Sequence, residues 1–215
     1  NDSMNRVGAR GKGESVWLSE FLCVAAERYA EVAPDEADRA WLNALSAQMK
    51  AAVEEFGWDG AWYLRAYTDE GRTLGSASGQ ACRIDALSQA WAALAGLEET
   101  RLRRALDAAW ENLVDEEHGV AKLLTPPFDG GEIDPGYIRA YPPGVRENGG
   151  QYTHGACWLL LAYIRTGQGR RAHRLLRLLN PVNHARTRRE AGVYRVEPYG
   201  IAAGGYGGPP HAGRG

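Results

Sequence analysis

Apolar residues recur at three- and four-residue intervals in six segments of the chain, and each segment predicts an α-helix. The first covers residues 14–32, with Trp17, Phe21, Ala25 and Tyr29 on one stripe, and stops before Pro34. The second opens at Pro34, which suits a first helical turn, presents Leu42, Leu45, Met49, Val53 and Phe56, and ends at Gly57. The insertion WDGAWYLRAYTDEGRTLGS breaks this rhythm: Trp62, Leu64 and Ala66 alternate, and the DEG turn predicts a small β-hairpin. Helix three (85–95; Leu87, Trp91, Leu94) stops at Gly96, and helix four (99–114; Leu102, Leu106, Trp110, Leu113) pairs with it. Helices five (153–165) and six (169–179) make a third hairpin, and VYRVEPY, residues 193–199, predicts a short strand.

Between helices four and five lie 38 residues, 115–152, with little helical pattern. Irregular stretches beyond ~15 residues inside a compact domain are usually functional or disordered, and the aromatics and prolines of this one argue against disorder. Three consecutive αα-hairpins with long loops on one side predict an all-α chain, a partial (α/α)6 toroid with long loops and a small β-hairpin. A closed toroid needs about twice as many helices. The chain opens on Asn1 and closes on GIAAGGYGGPPHAGRG, so the expectation is a single fragment, residues 1–215, of a catalytic domain truncated at both ends. The missing barrel half or a second copy would then cover the inner face.

Charge and composition narrow the function. The net charge is −2, no apolar run approaches the roughly 20 residues of a membrane helix, and no charged-then-apolar signal opens the chain. The stretch 165–189 holds eight arginines and no acid, but no aromatic interleaving or nucleic-acid fold accompanies it, so it reads as a solvated face. Cys23, Cys82 and Cys157 have no CxxC or Cys/His spacing and read as buried thiols in a reducing, cytoplasmic compartment. The scattered histidines lack metal-ligand spacing. Seven tryptophans and ten tyrosines chiefly serve a core, and rings beyond its needs suit the apolar faces of pyranoses.

The richest polar stretch is YPPGVRENGGQYTH, residues 141–154. Pro142 and Pro143 fix the entry, Gly149 and Gly150 allow a turn or a close approach, and a helix follows at ACWLLLAYI. Arg146, Glu147, Asn148, Gln151, Tyr152, Thr153 and His154 are read either as a capping loop with Thr153 as cap or as a site for a sugar or phosphate. His154 stands beside a helix N-terminus, where backbone N–H groups favour an anion. Trp58 and Asp59, in GWDGAWYLRAY, form an aromatic-flanked acid that suits sugar hydroxyls or, equally, a turn. Asp85 reads as the cap of helix three, with Gln89 one turn along. GxSxG, Walker and strand-linked GxGxxG motifs are absent from the sequence.

Six ordered motifs then resemble one family: NDSMNRVGARGKGESVWL, GWDGAWYLRAYTDEGRTLGS, RIDALSQAWAALAG, LLTPPF, PGYIRAYPPGVRENGGQYTHGACW and EPYGIAAGGY. They are similar to the C-terminal half of the catalytic domain of glycoside hydrolase family 94. Within it they look most like the phosphorylase-like domain at the end of cyclic β-1,2-glucan synthetases. The resemblance implies an (α/α)6 barrel in which an inverting phosphorylase cleaves a β-glucosidic bond with inorganic phosphate, releasing α-glucose 1-phosphate. Phosphate is a co-substrate and no cofactor is implied. Because phosphate is the nucleophile, one carboxyl group suffices as general acid, where an inverting hydrolase needs a second to activate water. The family's Trp-Asn-Asp motif matches Asn1-Asp2, making Asp2 the acid, and the histidine after ENGG makes His154 the phosphate contact. Arg6, Trp58, Asp59, Arg146, Glu147, Gln151 and Tyr152 become candidate substrate contacts. Ser3 stands where the family carries glycine, and Gly204 where it carries aspartate. Partners implied by the resemblance are a β-gluco-oligosaccharide and phosphate, in a cytoplasmic domain, with anchoring of a longer polypeptide in the inner membrane as one option. Two other readings stay open: a non-catalytic carbohydrate-binding or scaffold module, and an inverting hydrolase with Glu147 as base.

Overall fold

Sequence punctuation sets the helix ends. In the computed structural model, which describes residues 3–215, α1 (Val16–Ala30) starts at Ser15, whose Oγ accepts from Leu18 N at 3.3 Å. The second helix, α2 (Glu36–Phe56), ends on Gly57. Asp85 caps α3 (Ala86–Ala95), which stops at Gly96 in the left-handed region, φ 70°. The carboxylate of Glu98 accepts from Thr100 and Arg101 N, both at 2.8 Å, and opens α4 (Glu99–Leu113). Then come α5 (Thr153–Arg165), α6 (Gly169–Leu179) and α7 (Arg188–Tyr194).

The three hairpins pack side by side. Helix α1 packs on α2 and α3, α3 on α4 and α5, and α5 on α6, so α1, α3 and α5 form one row backed by their partners. Alanines 86, 90, 92, 93 and 95 of α3 are buried and keep that middle helix thin enough to take neighbours on both sides. Leu106, Leu113, Leu159, Tyr163 and Leu175 complete the core from α4, α5 and α6. No described helix is long and apolar enough to cross a membrane.

Small antiparallel sheets make the chain mostly helical rather than all-α. Strands β1 (Glu14–Ser15), β2 (Ala66–Tyr67) and β3 (Thr73–Leu74) form one sheet, and the expected hairpin is its β2–β3 pair, with Ala66 opposite Leu74. Strand β4 (Ile84–Asp85) pairs with β7 (Leu124–Thr125), β5 (Val114–Asp115) with β6 (Val120–Ala121), and β8 (Gln151–Tyr152) with β9 (Gly204–Gly205). Strands β1, β4 and β8 run directly into α1, α3 and α5, so every helix of the row begins on a strand pinned by a loop.

Three expectations need correction. The stripe of α1 that faces the core is Val16, Glu20, Cys23, Ala26 and Ala30, whereas Phe21 and Tyr29 are exposed; small residues let α2 approach closely. Residues 193–199 form no strand: α7 runs to Tyr194, started by a capping box in which Thr187 and Glu190 bond reciprocally, and Arg195 then turns the chain with φ 57°. Cys157 is exposed, while Cys23 and Cys82 are buried as expected.

Candidate active site

The loop 141–154 is built by backbone bonds before any side chain reaches solvent. Val145 and Asn148 bridge antiparallel, Arg146 takes φ 50° and Gly149 φ 84°. The buried Asn148 amide accepts from Phe128 N at 2.7 Å and donates to the carbonyls of Phe128 and Tyr141 at 2.9 and 2.8 Å, which fixes the turn to residues 128 and 141. At Gly150 a Cβ would stand 2.6 Å from Arg146 O and 2.7 Å from Gly205 O, so two carbonyls close on the glycine. Gln151 accepts from Ala121 N at 2.9 Å and donates to Thr153 Oγ1 at 3.0 Å; its amide belongs to the framework. Tyr152, rather than Thr153, holds the cap position of α5, and Thr153 Oγ1 donates to Ala202 O at 2.8 Å.

What this frame leaves outward is Arg146, Glu147, Tyr152 and His154. His154 is the second residue of α5, exposed, with its ring 6.0 Å from Tyr152 and 5.3 Å from Trp158. The Arg146 guanidinium lies 5.0 Å from the Tyr141 ring centre and 3.7 Å from the Glu147 carboxylate, whose Oε2 is buried with no hydrogen-bond partner among the described residues. An open imidazole thus stands in the first turn of α5, and a cation and a carboxylate with a spare acceptor stand in the loop that leads into it, which suits an anion beside hydroxyl groups.

The remaining expected contacts are distributed differently. Asp2 lies outside the described residues. The segment just after it is fixed, because Ile138 N donates to Ser3 O at 2.9 Å and Arg6 pairs with Asp134 at 3.1 Å. Trp58 packs edge-on against Tyr63 at 5.0 Å, with the guanidinium groups of Arg101 and Arg104 at 5.4 and 5.3 Å from its ring centre. The Asp59 carboxylate accepts from Ala61, Trp62 and Ala77 N at 2.9, 3.0 and 2.7 Å. Those three donors make Asp59 a loop organiser, whereas the ring contacts of His154 are to Tyr152 and Trp158.

Beneath the loops lies a buried ionic group that local sequence reading passed over. Arg65 Nε donates to Asp85 Oδ2 at 3.2 Å and Nη1 to Ser15 Oγ at 3.3 Å, and the guanidinium covers the Trp17 ring at 5.2 Å. Asp85 also accepts from Leu87 N at 2.7 Å, and Gln89 braces Tyr63 through both its N–H and its C=O. Burial pushes the Asp85 carboxyl up, and Arg65 pulls it back. Only the cap signal of Asp85 was visible; the 20-residue separation from Arg65 carries no motif.

Comparison with known proteins places the chain in a family. The family model described as the glycosyl hydrolase 94 superfamily, catalytic domain, matches residues 1–215. Cyclic beta-(1,2)-glucan synthase NdvB of Rhizobium meliloti is 47% identical over 220 residues, which cover 100% of this chain and 8% of that protein. Solabiose phosphorylase of Paenibacillus borealis is 39% identical over 80% of the chain and 23% of its own length. N,N'-diacetylchitobiose phosphorylase of Vibrio furnissii is 31% identical over 85% of the chain and 23% of its own length. The chain therefore spans less than a quarter of these relatives and belongs to the glycosyl hydrolase 94 superfamily, within its catalytic domain.

Proposed function

We propose that this chain contributes the general acid and the phosphate contact of an inverting glycan phosphorylase built on an (α/α)6 toroid. The enzyme uses inorganic phosphate to cleave β-linked gluco-oligosaccharides, of β-1,2 linkage, to α-glucose 1-phosphate. The observation that carries the reading is His154, exposed in the first turn of α5 between the rings of Tyr152 and Trp158. There the positive end of the helix dipole adds to the imidazole in holding an oxyanion. Asp2 protonates the glycosidic oxygen, and phosphate, rather than an activated water, attacks the anomeric carbon. Arg6, Arg146, Glu147 and Tyr152 contact the sugar, while Trp58, Asp59 and Gln151 hold the loops. The β-1,2 linkage is supported by the name of the 47%-identical relative, and phosphorolysis by the names of the others.

The test is release of glucose 1-phosphate from β-1,2-gluco-oligosaccharides by the full-length protein, with and without phosphate. Phosphate-dependent release that Asp2→Asn abolishes is the expected result. Free glucose without phosphate would identify a hydrolase instead, and release untouched by Asp2→Asn would remove the acid from Asp2.

A further inference from the structure

Residues 3–6 and 134–140 are locked together. Ile138 N donates to Ser3 O at 2.9 Å, Tyr137 N to Asn5 Oδ1 at 3.2 Å, and Arg6 N to Pro135 O at 3.4 Å. Met4 and Ile138 are buried between the two segments. Asp134 organises the rim: its Oδ1 accepts from Gly136 N at 3.1 Å with Arg139 3.8 Å away, and its Oδ2 accepts from Arg6 at 3.1 Å. An open depression of about 500 Å³ lies here, lined by Asn5, Arg6, Asp134, Tyr137 and Arg139 among others, with Tyr137 as a residue 42% exposed.

Two connections give this depression a direction. Ser3 is covalently next to Asp2, and its carbonyl is bonded into the same structure. From the other side, the Tyr137 ring meets Tyr141 edge-on at 6.4 Å, and Tyr141 carries the Arg146 guanidinium, which pairs with Glu147. A track of rings and charged hydrogen-bonding groups therefore runs from Glu147 past Tyr141 to Tyr137, which is bonded to the segment that follows Asp2 in the sequence. An exposed aromatic face rimmed by guanidinium and carboxamide groups is suited to a neutral pyranose, whose apolar face stacks while its equatorial hydroxyls find donors and acceptors.

We propose that this depression is an outer subsite for the leaving gluco-oligosaccharide, with Tyr137 as its stacking platform and Arg6, Arg139 and Asn5 as its hydroxyl contacts. The assignment rests on the phosphorolysis reading for its direction. It makes Tyr137 a determinant of preferred chain length.

Calorimetry on the full-length protein, without phosphate, measures binding of β-1,2-gluco-oligosaccharides of two to five units, with phosphorolysis rates measured in parallel. In the natural protein, affinity rises with length by about fivefold, the scale of one ring contact. Tyr137→Ala removes that rise and Tyr137→Phe keeps it, while Arg139→Ala reduces it and supplies the result if Tyr137→Ala fails to fold. An unchanged rise in Tyr137→Ala, or equal weakening at every length, overturns the subsite. Tighter binding of a uronate-ended oligosaccharide than of the neutral one overturns its assignment to neutral glucan. A length-dependent affinity sensitive to Tyr137 in a protein that makes no glucose 1-phosphate would keep the subsite and reject phosphorolysis; turnover with no length dependence would do the reverse.

Discussion

Arg65 Nε lies 3.2 Å from Asp85 Oδ2 with both side chains almost wholly buried, and the same guanidinium reaches the Ser15 hydroxyl, so one cation joins the caps of α1 and α3. Burying two charges costs several kcal/mol per ion, offset only while both remain. Arg65→Met is expected to destabilise the protein by about 3–5 kcal/mol, because Asp85 is left without this counter-charge. Asp85→Asn is expected to cost less, because its amide oxygen can still accept from Arg65 Nε or Leu87 N. Urea denaturation of both variants checks the order; equal losses would refute it.

Glu20 itself gives a pH signature. It is fully buried on α1, both oxygens lack a hydrogen-bond partner among the described residues, and burial pushes its carboxyl well above the usual range, with Arg65 opposing. The unfolded chain loses this proton near pH ~4.3, while the folded chain keeps it. Above that pH the native state binds more protons than the unfolded state, so stability falls as pH rises until the folded group also ionises. Glu20→Gln removes this slope. The melting-temperature difference between Glu20→Gln and the natural protein is expected to be small at pH 4 and to grow in the variant's favour toward pH 7; a difference independent of pH would count against a protonated Glu20.

Asp59 and His154 separate framework from chemistry. Asp59 accepts three backbone N–H bonds, and hydrogen bonds to a charged group contribute about 1.5–3 kcal/mol each, so Asp59→Ala is expected to lose about 3 kcal/mol or more of stability with little change in KM for phosphate. His154→Ala, on an exposed side chain, is expected to stay within about 0.5 kcal/mol of the natural stability while raising KM for phosphate at least ~10-fold. Melting curves and initial rates on the two variants distinguish these roles, and the reverse pattern would exchange them.

Helix α1 leaves apolar side chains exposed beside the row. Phe21 meets Trp91 at 5.0 Å and Trp91 meets Trp158 at 4.8 Å, so aromatic rings cross all three helices, and Leu18, Phe21 and Leu22 are exposed at one end. Contiguous apolar surface of this kind drives association. The isolated 215-residue chain is expected to self-associate with concentration in sedimentation, and Phe21→Ser with Leu22→Ser to weaken this. A monodisperse, cooperatively melting monomer would argue against a partial toroid.

How much of this was legible in sequence depended on whether the signal was local. Helices α5 and α6 were readable to the residue because a polar turn and a Gly precede their apolar runs. On α1, two stripes have helical spacing, and periodicity alone gave preference to the aromatic one, although Cys23, Ala26 and Ala30 are what α2 packs against. Helix α7 is seven residues long with no apolar stripe; its Thr187–Glu190 box was the available signal. At the site, His154 stood out because a helix start is a local feature. Polar side chains such as Asp59 and Gln151 look the same in sequence whether they serve a ligand or their own backbone, and the Arg65–Asp85 pair exists only once β2 and β4 are folded.

Gly136 offers a test of the proposal that Asp2 is the acid. It takes φ 108°, and a Cβ there would strike the Asn5 side chain and stand 2.8 Å from Asn5 N and 3.1 Å from Arg6 N. Gly130 has a similar φ of 91° but nothing within 4 Å of the added Cβ. An alanine at either position carries the strain of a positive φ, on the order of 1–3 kcal/mol, and at Gly136, where ψ is −154°, it meets the contact as well. Only Gly136→Ala must push residues 3–6 away from 134–140, and with them the residue beside Ser3. A displacement near 1 Å at a catalytic group costs on the order of 100-fold in rate. Gly136→Ala is therefore expected to lose kcat by about that factor and to be less stable than Gly130→Ala by the cost of the contact, while Gly130→Ala keeps kcat near the natural value. Equal kcat in the two alanine variants would mean that the 3–6 segment does not position the acid.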